Sequence, residues 1–401
     1  MKKCLLVFFL IIMFVPLLSS CWNQKEMTDL AFIMAMGVDK GHGKRFKVSF
    51  QIVDPGNVAA GQSGGGQGLP IAVYSSTGDT ITEAARNATK MISRRLYYAH
   101  TNLVVVSESI AKKELLNILD ALDRDPEFRT TTEMVVARNA RAEDIVSTLT
   151  LLDKLPVNKI KKEIESTETM LGENMSVSVD DFLTGLVSSG KQPILNGYKL
   201  TGNKELARTA STLQKTEADA KLEADGMAVF RRGKLIGWID HEDARGIIWI
   251  LNKLKSTDIN LTWNGKKAAV NMAPIRSKTK ISAKINNGKP VINIKIADEG
   301  WISEANTKVD LTDPNEIKKI DEKTEKEIKK QIAKTVKAAQ KLKSDIFGFG
   351  EIVHRKDPKL WKKIRNDWDN QFAKLEVNVK VDSNIRKEGI RTNPFWVDFK
   401  K

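Results

Sequence analysis

The chain has 401 residues, of which 41% are apolar and 29% are charged, a composition typical of folded globular proteins. This length predicts two or three domains, and the composition excludes a wholly disordered chain. Lys and Arg number 65 against 50 Asp and Glu, so the formal net charge is +15. Because the two cysteines lie near the N-terminus and the four histidines are scattered, the sequence excludes a disulfide framework and predicts no metal site.

The N-terminus predicts export and attachment to a membrane. A short basic start precedes an apolar run at 5–15, which is too short to cross a bilayer but suits the core of a signal peptide. The next feature, LSSC at 18–21, resembles a bacterial lipobox. We expect 1–20 to be a lipoprotein signal peptide and a diacylglyceryl group on Cys21 to anchor the mature chain without a spanning helix. An ordinary secretory signal with an incidental cysteine is the alternative.

The basic charge also bears on partners. Because an exported protein does not meet nucleic acid, we expect no nucleic-acid partner in spite of the positive charge. Anionic phospholipid is the natural neighbour of a basic surface at a membrane. Improved solubility is the alternative explanation of the same charge.

The N-terminal region, 21–200, alternates strands and helices, which is typical of a mixed α/β arrangement. Residues 29–39 and 45–53 predict a hairpin, since Phe46, Val48 and Phe50 alternate with polar residues. Thr80, with Glu83 three residues later, predicts the start of a helix that runs to about residue 96. The remaining predicted elements are strands at 71–74, 102–107, 132–137 and 193–200, helices at 108–122 and 142–149, and a broken helix over 158–190.

A polar segment at 201–221 predicts a linker to a C-terminal region, 222–401. That region begins with a predicted hairpin, and Asp240 suits the N-cap of a helix at 241–253. Asp313 precedes a long helix to about 347, with apolar residues at helical spacing. The other predicted elements are antiparallel strands at 261–263, 268–272, 279–285 and 291–296, a helix at 358–375 and a strand at 376–381. The fold class that follows is multi-domain α+β, or mixed α/β.

Patterns that could carry catalysis lack the required context. GQSGG at 61–65 matches G-x-S-x-G, but a glycine tract supplies neither the strand nor the helix that a nucleophile elbow requires. Paired carboxylates such as Asp180 and Asp181 lie where helix capping or solvation explains them. We therefore predict no catalytic residue, no cofactor-binding residue and no metal ligand.

One tract, RRLYYAH at 94–100, is dense in residues that anchor interfaces. It is predicted to end a helix, where cations are favoured, and to precede a buried strand. Its candidates are Arg94, Arg95, Tyr97, Tyr98 and His100. A structural clamp and a partner surface both fit this composition.

Several short blocks occur in order along the chain: CWN at 21–23, GVD at 37–39, STG at 76–78, EAAR at 83–86, the tract 94–100, GMAVF at 226–230, KLIGW at 234–238 and RG at 245–246. Their order and spacing resemble the C subunits of spore germinant receptors in endospore-forming bacteria, over nearly the whole mature chain. Trp238 and Arg245, which belong to these blocks, join the candidate partner or structural surface.

The resemblance implies three compact domains, each a β-sheet with flanking helices, and neither enzymatic activity nor a cofactor. It implies a lipoprotein on the outer face of the spore inner membrane, acting with integral-membrane A and B subunits in the response to small nutrients. It assigns a role to Cys21 alone, as the lipid attachment point. A lipid-anchored solute-binding protein that captures the nutrient itself and an exported enzyme stay open as alternatives.

Overall fold

The computed structural model describes residues 27–59, 68–153 and 155–386. The described strands form two sheets, one of nine strands and one of four, with helices packed on them, so the predicted multi-domain α+β class is confirmed. Cys21, the predicted signal peptide and the G-x-S-x-G tract lie outside the described residues. No helix in the described part of the chain is long and apolar enough to cross a bilayer. The number of compact domains stays a prediction.

The first sheet has a parallel centre between two antiparallel flanks. In spatial order its strands are β3 (Ile71–Gly78), β2 (Phe46–Val53), β1 (Leu30–Lys40), β5 (Leu103–Ser107), β6 (Glu133–Ala137), β7 (Ile194–Gly202), β8 (Ala220–Arg231) and β9 (Lys234–Ile239), and β4 (Arg95–Tyr97) pairs with the start of β1. Every residue of β5 and β6 is buried. Helices therefore have to cover both faces of this centre, as in parallel sheets generally.

Two apolar cores lie on opposite faces of the first sheet. Val104 and Val106 of β5 face one core, and Leu103 and Val105 face the other, as the two-residue period of a strand requires. The first core is covered by α2 (Ile81–Ala88), α3 (Glu108–Lys113), α4 (Leu115–Asp123) and α7 (Val179–Val187), and the second by α5 (Ala142–Ser147) and α6 (Pro156–Met170); the short α1 (Pro55–Ala59) follows β2.

The second sheet packs one face against a long helix. Its strands, in spatial order, are β10 (Ile259–Trp263), β11 (Lys266–Asn286), β12 (Lys289–Ala305) and β13 (Glu376–Ile385). The remaining helices are α8 (His241–Ile250), α9 (Pro314–Lys341), α10 (Phe349–Lys356), α11 (Pro358–Ile364) and α12 (Trp368–Ala373). Ile294 and Ile296 of β12 and Ile328 and Ile332 of α9 are buried in the first core, which thus continues between both sheets.

The predicted linker joins two neighbouring strands of the first sheet. β7 and β8 pair antiparallel on either side of it, with Gly202 opposite Ala220. Between them, the chain forms two 3-10 helices, Leu206–Arg208 and Ala210–Gln214. The first sheet therefore contains strands from both predicted regions, and a domain boundary at this segment stays a prediction.

The segment after α9 and the start of α10 are hydrogen-bonded to the first sheet and to the residues just before β7. The Ser344 hydroxyl donates to the carbonyl of Phe230 on β8 (2.6 Å), and the Gln192 N–H donates to the carbonyl of Asp345 (2.8 Å). Ser188, just after α7, donates to the Glu351 carboxylate at 2.7 Å. The segment after α9 is thereby attached to residues on both sides of β7.

Some predicted elements have other bounds. The helix predicted over 80–96 ends at Ala88, because the Thr89 hydroxyl bonds the Arg86 carbonyl and the chain then turns into β4. Thr80 does accept from the Glu83 N–H, at 3.0 Å. The helix predicted at 108–122 is the pair α3 and α4, and the one at 358–375 is α11, a 3-10 turn and α12. The strands predicted at 268–272 and 279–285 are one strand, β11, whose bulge accommodates Pro274.

Candidate functional site

The sequence predicted that the tract 94–100 ends a helix. This prediction is wrong, because the tract contains the strand β4. This strand runs parallel to the start of β1, with Arg95 opposite Leu30 and Tyr97 opposite Phe32. The rings of Phe32, Tyr97 and His100 form a cluster, with centroids 5.4 Å to 5.9 Å apart. The tract is therefore attached to β1, the first strand of the described chain.

The tract has a packed side and an exposed side. Tyr98 meets Phe50 edge to face at 6.4 Å, and burial raises the pKa of its phenol. Arg94 is exposed, and the Arg95 side chain is 56% exposed while its guanidinium pairs with Glu127 at 2.7 Å. A cleft of about 650 Å³ with a largely apolar lining lies beside these arginines. Both interpretations of the tract thus have a structural basis. The packed side suits a structural clamp, and the exposed side suits a surface that a partner can contact.

Trp238 lies on β9, an edge strand of the first sheet. The Arg138 guanidinium stacks over the Trp238 ring, 4.5 Å from its centroid, and donates to both oxygens of Asp240. Gly197 on β7 leaves room for the indole, because a Cβ there would lie 2.5 Å from it. The predicted N-cap residue, Asp240, thus binds Arg138, and its side chain does not cap α8.

Arg245 is buried, with its side chain 6% exposed. Its guanidinium donates to the carbonyl of Asp258 and to the carboxylate of Glu173, both at 2.9 Å. These bonds join α8 to the segment after α6 and to the segment before β10. A buried, paired arginine is a structural residue, since a partner cannot reach it.

The candidate residues do not form one site. Four strands, β5 to β8, separate β9 and Trp238 from β1 and the tract. Arg245 lies on the buried side of α8. The tract 94–100 is thus the part of the predicted surface that combines exposure with several candidate side chains.

One buried carboxylate, that of Asp345, was not predicted from the sequence. It is fully buried and accepts from the N–H groups of Gly348, Phe349 and Gly350 (3.0, 3.1 and 2.8 Å) and from the indole N–H of Trp368 (2.9 Å). Burial raises its pKa to about 6, although these bonds act in the opposite direction. The local signal in the sequence is the pair of glycines, Gly348 and Gly350, soon after Asp345, because such a pattern indicates a carboxylate bound by backbone N–H groups.

A polar cleft of about 800 Å³ lies at the carboxyl ends of the parallel strands β1, β5 and β6. At its base Asp39 accepts from the N–H groups of Ala142 and Glu143, both at 2.9 Å. Asp144, on its wall, pairs with Arg141 at 2.6 Å. Open α/β sheets bind ligands at this end of their strands, so the cleft is suited to a small polar solute. Within the described residues, no three His, Cys, Asp or Glu side chains are placed to hold a metal.

Known proteins and family models match almost all of the chain. The family model "Spore germination protein N-terminal domain" matches residues 23–200, and "Spore germination B3/ GerAC like, C-terminal" matches 225–389. "Spore germination protein KC" of Bacillus subtilis (strain 168) is 41% identical, over 100% of this chain and 99% of that protein. "Spore germination protein B3" of the same organism is 22% identical, over 93% and 96%. The crystal structure of the GerBC protein matches with a TM-score of 0.53 over 87% of this chain and 96% of that one, at 17% identity, which shows a common fold.

Proposed function

Since this chain belongs to the family of spore germinant receptor C subunits, we propose that it is the lipid-anchored, non-enzymatic subunit of a nutrient germinant receptor. Its role in spore germination follows from the family. In the proposal, a diacylglyceryl group on Cys21 holds it on the outer face of the spore inner membrane, beside integral-membrane A and B subunits. The observation that carries the proposal is the 41% identity over the full length of a spore germination protein.

The position of the anchor gives the tract 94–100 a role in this proposal. Cys21 precedes the first residue of β1, Leu30, by nine positions, which span at most about 30 Å even when fully extended. Because Leu30 lies opposite Arg95, a lipid on Cys21 keeps the exposed side of the tract within about that distance of the bilayer. We therefore expect Arg94 and Arg95 to contact a membrane subunit.

A Cys21→Ala substitution tests the proposal in sporulating cells. Without the thiol no lipid can be attached, so the protein should leave the membrane fraction and the nutrient response should be lost, while germination induced by chemicals continues. Cys4→Ala is the matched control, because it removes the other thiol and keeps the lipobox. A Cys21→Ala protein that stays on the membrane in spores that germinate normally would contradict the proposal.

A second candidate, supported by the polar cleft, is direct capture of the nutrient by this chain. Calorimetric titration of the chain from residue 22 onward with amino acids and sugars separates the two functions. The main proposal expects no saturable heat. Saturable binding that Lys40→Gln weakens, at the exposed rim of the cleft, would favour the solute-binding function instead.

A further inference from the structure

The second sheet carries a row of lysines on the face opposite α9. Lys280 on β11 lies directly opposite Lys295 on β12, and Lys295 lies directly opposite Lys380 on β13. All three are exposed, whereas Ile294 and Ile296, the neighbours of Lys295, are buried on the other face. We call Lys280, Lys295 and Lys380 the lysine row.

Folding alone does not favour this arrangement. Like charges directly opposite one another on neighbouring strands destabilise a sheet. No member of the lysine row has an ion-pair partner among the residues that the structure describes. The same face carries three further lysines, Lys278, Lys284 and Lys289, against the exposed acids Asp382 and Glu376. The uncompensated charge is therefore available to an anionic ligand.

Exposed apolar side chains lie on the same face. Trp301 is an even number of residues from Lys295, so the two share a face of β12, about 20 Å apart. Trp301 is 38% exposed, and Ile275, in the bulge of β11 beside it, is 47% exposed. Tryptophan is enriched at the level of lipid headgroups, and lysine is attracted to anionic lipid.

We propose that this face, through the lysine row and Trp301, binds an anionic phospholipid surface. The choice of a bilayer rests on the proposed lipid anchor at Cys21. Lysine is rare at the centre of protein–protein interfaces, and the lysine row lies at the centre of this face, so a lipid surface suits it better than a protein does. The C-terminal residues 387–401 contain four basic and two acidic residues, and the whole chain has a charge of +15. Neither this segment nor a second copy of the chain therefore has the negative charge that a ligand of the lysine row requires. Bound in this way, the second sheet gives the chain a second contact with the membrane.

Vesicle sedimentation of the unlipidated chain, residue 22 onward, tests the face separately from the anchor. Wild type should bind phosphatidylcholine vesicles that contain phosphatidylglycerol, bind pure phosphatidylcholine weakly, and dissociate as salt is raised. The triple variant Lys280→Gln, Lys295→Gln, Lys380→Gln should bind anionic vesicles about 100-fold more weakly, at about fivefold for each lysine. It should fold at least as stably as wild type, since it loses a repulsion.

A matched control removes three exposed lysines from α9, Lys318, Lys329 and Lys337, by the same change to Gln. Net charge falls equally, so a similar loss of binding in the control would attribute the effect to overall charge and overturn the proposal. Absence of vesicle binding by wild type overturns it too. If wild type does not bind vesicles, and the lysine-row variant alone fails to co-purify with the membrane subunits, the face binds an acidic protein. A failed anchor proposal shows separately, as membrane fractionation of Cys21→Ala that stays unaltered even when the lysine row is also replaced by Gln.

Discussion

Replacing Asp298 by Asn should make the protein more stable, and more so at high pH. Asp298 lies on the inner face of the second sheet, 1% exposed, and neither carboxylate oxygen has a hydrogen-bond partner among the described residues. Burial, assisted by the nearby carboxylates of Glu299 and Asp321, raises its pKa to about 7. Asn keeps the size of the side chain and cannot ionise.

The sign and size of the effect follow from the two pKa values. The pKa of Asp in an unfolded chain is about 3.9, so the folded state holds a proton that the unfolded state releases. Stability is therefore lost as pH rises from about 4 to about 7. A shift of about three units corresponds to about 4 kcal/mol, of which about 2.5 kcal/mol is lost between pH 5 and pH 8. Because Asn cannot ionise, the Asp298→Asn variant does not lose this stability as pH rises.

Urea unfolding, followed by tryptophan fluorescence at pH 5, 6, 7 and 8, measures the difference. The advantage of Asp298→Asn over wild type in the free energy of unfolding should grow by about 2.5 kcal/mol across this range. Asp382→Asn, an exposed carboxylate on β13, removes the same charge and should show no such growth. Parallel pH profiles for wild type and Asp298→Asn would refute the reasoning, because they would mean that the buried carboxylate is compensated.

Asp345→Ala should lower the free energy of unfolding by about 3 kcal/mol or more, because four buried donors lose their acceptor; an unchanged urea midpoint would contradict this. Gly350→Ala should cost about 2 kcal/mol in the same assay, since its Cβ would lie 2.7 Å from the Gly190 Cα, and wild-type stability would show that the contact relaxes freely. Arg245→Met, which removes the bonds to the Glu173 carboxylate and the Asp258 carbonyl, should lower the melting temperature by several degrees, and a rise would show that these bonds are dispensable. Arg95→Ala should leave melting nearly unchanged, because exposed ion pairs contribute at most about 1 kcal/mol, yet reduce co-purification with the membrane subunits; intact assembly would remove the tract as a partner surface.

Local periodicity explains which elements the sequence could predict. Phe46, Val48 and Phe50 alternate along β2 and are buried on one face, so both the strand and its orientation were predictable. The stripe of α9, with Ile328 and Ile332 buried, gave the long helix. Ile92 and Leu96 are four residues apart and both buried, which imitates a helix although Leu96 lies in a strand.

The candidate site depended on contacts that leave no local pattern. Arg138 and Asp240 are 102 residues apart, and Arg245 and Glu173 are 72 apart, so nothing near either arginine reveals its partner. The lysine row is likewise visible only once the register of three strands is known. The sequence could supply the residue types of the tract 94–100, and its place beside β1 required the fold.

The pairing of β7 with β8 makes the two halves of the chain mutually dependent. A protease that cuts between 203 and 219 would leave two pieces held together by an intact strand pair. Either half produced alone would expose the unpaired edge of β7 or β8, which is a template for aggregation. Co-expressed as separate polypeptides, the halves should instead reassemble by complementation, which would show that the two parts described by the family models fold as one cooperative unit.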